Sequence, residues 1–245
     1  MFLLGAATTA RADDVAPAAA GKPAQQLTIP KGKLVIDAFI DINLSTGAAF
    51  DPVSISPDIW YGLSDDITLG LVHSTAGQFG FVSGPGSSLC FGDNCPGVYD
   101  NFGIDGRFRL KGPWTLDAAL LVDGLATDAI VAGKLGASAR WVSNKLILEV
   151  QPSLLIAFSG RDFLSDALLA PITLGYALSP KLQLGVQTGV ILPFKNTSDA
   201  LSIPVSLLTR FKLNPKLSAG LAFSFLSLDE GADARSLTLG VSYAL

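Results

Sequence analysis

The strongest constraint on the fold is a two-residue alternation that repeats along most of the chain. From Lys33 onward, segments of roughly ten residues place an apolar side chain at every second position. In the first segment Leu34, Ile36 and Ile40 alternate with Asp37 and other polar residues. Successive side chains of a strand point to opposite faces, so each segment predicts a strand with one apolar and one polar face. Along the chain, the pattern predicts about twelve antiparallel strands.

Composition indicates a membrane environment but excludes a spanning helix. The chain of 245 residues is 49% hydrophobic and only 16% charged, whereas soluble domains carry about 25% charged residues. Its richest apolar stretch, residues 116–139, is interrupted by Asp117, Asp123, Asp128 and Lys134, so no run approaches the roughly 20 residues that a spanning helix needs. A closed β-barrel is the other structure that pairs every backbone group in lipid. The net charge of −4, without basic clusters, argues against nucleic acid as a partner.

The connections between the predicted strands are of two kinds. Short polar turns join alternate pairs of strands, at residues 64–66, 111–113, 143–144, 179–181 and 214–216. The other connections are longer, and the longest covers residues 73–97. This asymmetry is typical of transmembrane up-and-down barrels, and an even number of strands places both termini at the end with the short turns. We call the two ends of the barrel the turn end and the loop end.

Aromatic residues collect near the turn end, on the apolar face of the predicted strands. They are Tyr61, Phe108, Trp114, Trp141, Tyr176, Phe211 and Tyr243. Aromatic rings concentrate at membrane–water interfaces, so this set predicts an aromatic girdle on a lipid-facing wall. A soluble β-sandwich is the alternative, but it would need only one buried face and would not be so poor in charge.

The first residues have the features of a processing segment. A short apolar run ends at Ala10-Arg11-Ala12, which has the small-x-small form that signal peptidase accepts. We therefore expect a signal-peptide remnant over residues 1–12, with an ordinary disordered tail as the alternative. Residues 13–32 are rich in Ala and Pro and predict a flexible periplasmic segment, followed by the barrel over residues 33–245.

The final strand carries a resemblance to a known class. Residues 237–245 alternate, include Tyr243 and end on an apolar residue. They resemble the C-terminal strand that the barrel-assembly machinery of Gram-negative bacteria recognises, with Leu245 in place of the usual Phe. As architecture, the similarity to bacterial outer-membrane β-barrel proteins covers residues 33–245. It implies an outer-membrane location, turns in the periplasm, loops outside the cell, and contact with the lipid bilayer, lipopolysaccharide and that assembly machinery.

Cys90 and Cys95 lie in the longest loop, and an even pair in an exported chain is most simply a disulfide. A zinc site would need four ligands, and the single histidine, His73, is distant in sequence. We therefore expect a disulfide and neither a metal nor another cofactor. The loop that carries the two cysteines is long enough to fold into the pore or to cover its mouth.

Charged residues on the polar faces of the strands are the best sequence clue to function. We expect the pore to be lined by Asp37, Asp58, Arg107, Arg109, Asp117, Lys134, Arg140, Glu149, Arg210 and Lys212. The bases concentrate near the turn end. Folding the hairpin at residues 111–113 places Arg107 opposite Asp117, which predicts a cross-strand ion pair. Arg210 and Lys212 instead face Gly220 and Ser218, which leaves them free for a solute.

Two functional hypotheses follow. The first is a narrow passive channel, porin-like, for small polar or anionic solutes. The second is a barrel with a filled lumen that anchors an envelope complex, with a periplasmic or surface protein as its partner. A minor alternative is an outer-membrane lipid hydrolase, with His73 facing outward at the loop end. Because Ser74 should point to the opposite face from His73, a catalytic Ser–His contact is disfavoured and we expect no enzyme.

Overall fold

The computed structural model describes residues 27–82, 88–95, 97–161, 164–195, 201–227 and 234–245. The predicted signal segment, residues 1–12, lies outside these ranges. The described elements are β1 (Leu34–Asn43), β2 (Val53–Ser64), β3 (Ile67–Val72), α1 (Thr75–Phe79), β4 (Leu89–Phe91), β5 (Phe102–Arg109), β6 (Trp114–Asp123), β7 (Ile130–Ser143), β8 (Leu146–Val150), β9 (Ser153–Ala157), β10 (Ala167–Ala177), β11 (Leu182–Pro193), β12 (Val205–Lys212), β13 (Leu217–Phe225) and β14 (Arg235–Ala244).

The strands form one antiparallel sheet that closes on itself. β1 pairs with β2 on one side and with β14 on the other, which completes the ring. β8 and β9 pair with β7 and β10 in one unbroken register and form a single wall strand, interrupted only at Gln151 and Pro152. β4 is a short strand that pairs with the loop end of β2, on the edge of β2 that β3 leaves at Val72. Within the described residues the wall therefore has twelve strands, which confirms the predicted barrel.

Each wall strand alternates between an exposed and a buried face, as the sequence pattern predicts. In β14, Leu239 and Val241 are exposed on the outside, whereas Ser236, Thr238 and Ser242 are buried inside. A wall that turns apolar side chains outward and polar side chains inward suits a barrel surrounded by lipid. No helix in the described part of the chain is long and apolar enough to cross a membrane.

The seven residues of the predicted girdle all lie on the outside of the wall near the turn end. Tyr61, Phe108, Trp114, Tyr176, Phe211 and Tyr243 are exposed, and Trp141 is half-buried. The rings of Trp114 and Trp141 pack edge to face, with 5.8 Å between their centroids. Their placement fits an interfacial belt, which stays a prediction about the membrane itself.

Candidate functional site: the barrel lumen

The wall side of the lumen contains a cluster of charges on β5, β6 and β7. Arg107 Nε lies 3.6 Å from Asp105 Oδ1 and 4.0 Å from Asp117 Oδ1. Arg107 is directly opposite Asp117 in the β5–β6 register, as predicted. Lys134 Nζ lies 3.1 Å from Asp105 Oδ2. The guanidinium of Arg107 also stacks on the ring of Trp60 at 3.7 Å from its centroid. Both bases are therefore largely compensated by carboxylates.

A second ion pair joins β7 to β8. Arg140 Nε lies 3.7 Å from Glu149 Oε2, and both side chains are only 2% exposed. The two residues are direct partners in the β7–β8 register. Gln151 Nε2 donates a hydrogen bond of 2.8 Å to Glu149 Oε1. This pair is fixed by neighbouring strands and by a hydrogen bond, so it belongs to the framework of the barrel.

The remaining predicted bases lie at the turn end. Arg109 Nε contacts Asp66 Oδ1 at 3.1 Å, in the turn that follows β2. Arg210 and Lys212 are half-buried and face Gly220 and Ser218, as predicted.

No ion pair within the described ranges includes Arg210 or Lys212. Arg210 donates a hydrogen bond of 3.2 Å to the Ser218 hydroxyl, and Asp37 and Glu149 act on it electrostatically at longer range. Lys212 and Arg210 are therefore the lumen bases that lie best placed to meet a solute.

Residues 73–82, which we call the inserted segment, fold from the end of β3 into the lumen. The sequence left open whether this loop enters the pore or covers its mouth, and the structure places these residues inside. Ser74 caps α1 by accepting a hydrogen bond of 2.8 Å from the Gly77 amide. Gly80 ends the helix in the left-handed conformation, with φ 82°. Serine before and glycine after a short stretch are helix boundary signals that the sequence contained.

Asp58 on β2 fixes the start of the inserted segment. Its carboxylate accepts hydrogen bonds from the His73 amide at 2.6 Å, the Ser74 amide at 2.9 Å and the Ser74 hydroxyl at 2.6 Å. Asp58 has no exposed surface. Strand alternation in the sequence predicts that Asp58 lines the pore. Its side chain does point inward, but the inserted segment covers it. Its position therefore makes it an anchor for that segment, a role that alternation alone does not reveal.

The far end of the inserted segment is held by β11, β12 and β13. The Val82 amide donates to Gln187 Oε1 at 2.8 Å, and Gln187 Nε2 donates to the Gly80 carbonyl at 3.0 Å. The Val82 carbonyl accepts from both the Ser206 hydroxyl at 2.7 Å and the Ser224 hydroxyl at 2.6 Å. Because β3 and β11–β13 lie across the ring from each other, the segment crosses the lumen.

Apolar contacts support the same crossing. Ala76 and Val82 pack with Phe39, Leu208 and Ala222 on the wall. A second cluster surrounds Phe81, has Phe79 packed against it, and comprises Leu121, Ala132, Leu155, Ala167 and Leu169. The segment is thus bound by buried aliphatic side chains as well as by hydrogen bonds.

A separate stretch of chain enters the lumen from the turn end. We call residues 27–32 the N-terminal strap. Leu27 and Ile29 are 3% and 1% exposed, within a cluster that includes Val35, Trp60 and Val72. The sequence places residues 13–32 in a flexible segment, but the strap is packed because its two aliphatic side chains meet an apolar groove. The rest of that predicted segment lies outside the described residues.

The sequence predicts that His73 faces outward at the loop end, and the structure places it differently. The residue is 6% exposed and does not face outward from the wall. Its Nδ1 contacts the Pro57 carbonyl, and its Nε2 lies 3.2 Å from the Tyr99 hydroxyl. The Ser74 hydroxyl is directed to Asp58 instead. The turn into the lumen after Val72 causes this difference, since it ends the strand alternation before His73. These contacts give the hydrolase hypothesis no support.

Residues 88–95 of the long loop lie at the wall, where β4 pairs with β2. Cys90 and Cys95 form the predicted disulfide. Cys90 belongs to β4 and lies opposite Ser54 of β2, so the disulfide closes a short loop beside the wall at the loop end.

Little space remains between the inserted segment and the wall. A cavity of ≈ 20 Å³, which has room for about one water molecule, lies between α1 and strands β5 to β9. Its lining includes Phe79, Asp105, Arg107, Asp117, Lys134 and Gln151. On the turn-end side of the lumen, Gln183, Arg210 and Lys212 are only half-buried. The cavity beside the inserted segment is therefore small, whereas these three side chains at the turn end keep part of their surface exposed.

Comparison with known proteins supports the fold and goes no further. No family model matches the chain, and no curated protein matches its sequence. The structure is similar to a KdgM porin in complex with disordered oligogalacturonate, with a TM-score of 0.55 and 8% identity over 85% of this chain and 98% of that chain. It is also similar to the outer membrane protein Omp33 of Acinetobacter baumannii, with a TM-score of 0.50 and 10% identity over 88% of this chain and 99% of that chain. The chain therefore has the fold of outer-membrane β-barrels, as its final strand implied.

Proposed function

We propose that this protein is an outer-membrane β-barrel that forms a narrow passive channel for small polar or anionic solutes. The observation that carries the proposal is the pair Arg210 and Lys212, which lie half-buried at the turn end of the lumen and form no ion pair among the described residues. The fold, shared with a porin, and the polar inner face of the wall support it.

The proposed preference for anions is local and modest. Arg107, Arg109, Lys134 and Arg140 all have carboxylate partners, so their charges contribute little to the potential that a passing solute meets. The two bases outside these ion pairs, Arg210 and Lys212, lie at the turn-end mouth. A channel with this arrangement concentrates anions at one entrance and passes small neutral polar solutes as well.

Reversal of the charges at Arg210 and Lys212 tests this assignment. In the double variant Arg210→Glu with Lys212→Glu, we expect the reversal potential across a KCl gradient to move towards cation selectivity. The matched control is Lys181→Glu with Lys216→Glu, which makes the same change of charge in exposed turns at the same end of the barrel. Equal reversal potentials for the two variants and the wild type would remove Arg210 and Lys212 from the conduction path.

A filled barrel that anchors an envelope complex is the second candidate. The observation in its favour is the inserted segment, which crosses the lumen and is bound on both sides. Liposome swelling in solutions of small sugars separates the two functions. Swelling supports the channel, whereas its absence with protein that is folded by heat-modifiable gel migration supports the anchor.

A further inference from the structure

A groove lies on the lumen side of β2 and β3 at the turn end. Its floor consists of the apolar side chains of Val35, Trp60 and Val72, none of which is exposed to solvent. Its edge carries the Thr68 hydroxyl and the backbone of Gly62. The apolar floor and the polar edge together suit an extended stretch of polypeptide. Its aliphatic side chains pack on the floor, and its backbone groups form hydrogen bonds with the edge.

The N-terminal strap occupies this groove. The Ile29 amide donates a hydrogen bond of 2.7 Å to the Thr68 hydroxyl, and the Thr28 hydroxyl donates one of 3.0 Å to the Asp65 carbonyl. The Gly32 amide donates to the Gly62 carbonyl at 2.8 Å. Leu27 and Ile29 supply the apolar contacts.

The fit depends on the absence of a side chain at Gly62. A Cβ atom at this position would lie 2.2 Å from the Pro30 carbonyl oxygen and 2.5 Å from the Ile29 carbonyl oxygen. Both contacts are to backbone, which has no flexible side chain to move aside. Any larger residue at position 62 would therefore expel the strap.

The strap is bound more weakly than the wall strands around it. Burial of two aliphatic side chains and a few hydrogen bonds has to offset the conformational entropy lost by the ordered residues 27–32. Each wall strand, in contrast, is hydrogen-bonded to a neighbouring strand on both sides. The strap is thus the part of the lumen that can leave without opening the barrel.

We infer that the N-terminal strap is an autoinhibitory element, which narrows the turn-end mouth while it lies in the β2–β3 groove and widens the mouth when it leaves. Its departure uncovers Trp60, whose ring holds the guanidinium of Arg107. The apolar floor of the groove and this stacked cation then become part of the passage. The inference rests on the proposed channel function.

The variant Gly62→Ala tests the inference against Gly175→Ala as a control. Both positions are buried glycines of the wall, but the one atom within 3 Å of a Cβ at Gly175 is Nε2, at the flexible end of the Gln183 side chain, 2.5 Å away. We expect the single-channel conductance of Gly62→Ala to rise at least about twofold above the wild type, because the mouth widens. Gly175→Ala should conduct as the wild type does, and heat-modifiable migration confirms that each variant is folded.

A labelling experiment reports on the strap without reference to conductance. With Leu27→Cys as the only free thiol, maleimide should react slowly in the wild-type background, where this position is 3% exposed. Reaction should become fast when Gly62→Ala is added. Equal rates in the two backgrounds would overturn the inference.

A crosslink provides the reciprocal test. In the variant Ile29→Cys with Thr68→Cys, oxidation should hold the strap in place and lower the conductance, and a reductant should restore it. Wild type with the same reductant controls for the Cys90–Cys95 disulfide. If the wild type conducts and Gly62→Ala has the same conductance, the inference about the strap is overturned while the channel function stands. If the wild type and every folded variant show no conductance, the channel function itself is overturned.

Discussion

The two halves of the lumen are occupied in different ways. Towards the loop end, the inserted segment crosses the barrel and is held by hydrogen bonds and apolar contacts. Towards the turn end, charged side chains of the wall itself extend inward, and most of them pair with a neighbour on the next strand. The positions of the wall charges follow from strand register, whereas the inserted segment depends on contacts between residues far apart in sequence.

This difference has consequences for how each half responds to mutation. A buried ion pair of the wall cannot relax without distorting the sheet, so the loss of one partner leaves a charge stranded. The inserted segment is joined to the barrel at its ends and has solvent as an alternative environment. We therefore expect wall variants to lower the stability of the barrel, and segment variants to change conduction more than stability.

The largest effect on stability is expected at the Arg140–Glu149 pair. Arg140→Ala leaves Glu149 buried without its cation, at a cost of about 3 kcal/mol in the free energy of unfolding. The control is Arg161→Ala, which breaks a pair whose side chains are 61% and 32% exposed and should cost less than about 1 kcal/mol. Urea unfolding in detergent, followed by gel migration, measures both. Equal losses of unfolding free energy in the two variants would show that the Arg140–Glu149 pair is as solvated as the exposed one.

A double variant of the same pair separates the cost of an unpaired buried charge from any stabilisation by the ion pair itself. Replacement of both partners, as Arg140→Leu with Glu149→Leu, should recover most of the stability that Arg140→Ala loses. A double variant as unstable as the single variant would mean that the ion pair itself stabilises the barrel.

A smaller effect on stability, with a larger effect on conduction, is expected at Asp58. Asp58→Ala removes the acceptor for three hydrogen bonds at the start of the inserted segment and should cost about 2 kcal/mol. The freed segment should widen the lumen and raise the single-channel conductance. Asp51→Ala is the control, since the Asp51 carboxylate accepts hydrogen bonds from Asn94 in an exposed loop. A conductance equal to that of the wild type would show that Asp58 does not set the constriction.

The smallest effects are expected at the far end of the segment, where the Val82 carbonyl has two donors. Ser206→Ala or Ser224→Ala alone leaves the other hydroxyl in place, so each should cost less than about 1 kcal/mol. The double variant leaves the carbonyl without a donor, and its cost should exceed the sum of the single costs by about 1 kcal/mol. A double-mutant cycle measured by urea unfolding provides the comparison. Strict additivity would mean that the two serines act independently.

Much of the barrel could be predicted from the sequence because it depends on local pattern. Two-residue alternation gave the strand number and the direction of each side chain, and turn lengths gave the register that pairs Arg107 with Asp117. The register also placed Arg210 opposite Gly220. The disulfide followed from the count and context of the cysteines.

The contents of the lumen could not be predicted in the same way. That Asp58 anchors His73 and Ser74 depends on a turn into the barrel, and nothing in the period of the strands marks it. The strap has a composition typical of a linker, yet Leu27 and Ile29 find a groove that exists only after the barrel closes. Both segments are non-local, so their positions are decided by the shape of the finished interior.

The lumen should conduct ions even though the inserted segment crosses it. Single-channel recording in planar bilayers tests this most directly, with wild-type protein that is shown to be folded by heat-modifiable migration. We expect discrete, small conductance steps that become larger in Asp58→Ala. Bilayers that contain folded wild-type and Asp58→Ala protein but remain electrically silent would contradict it.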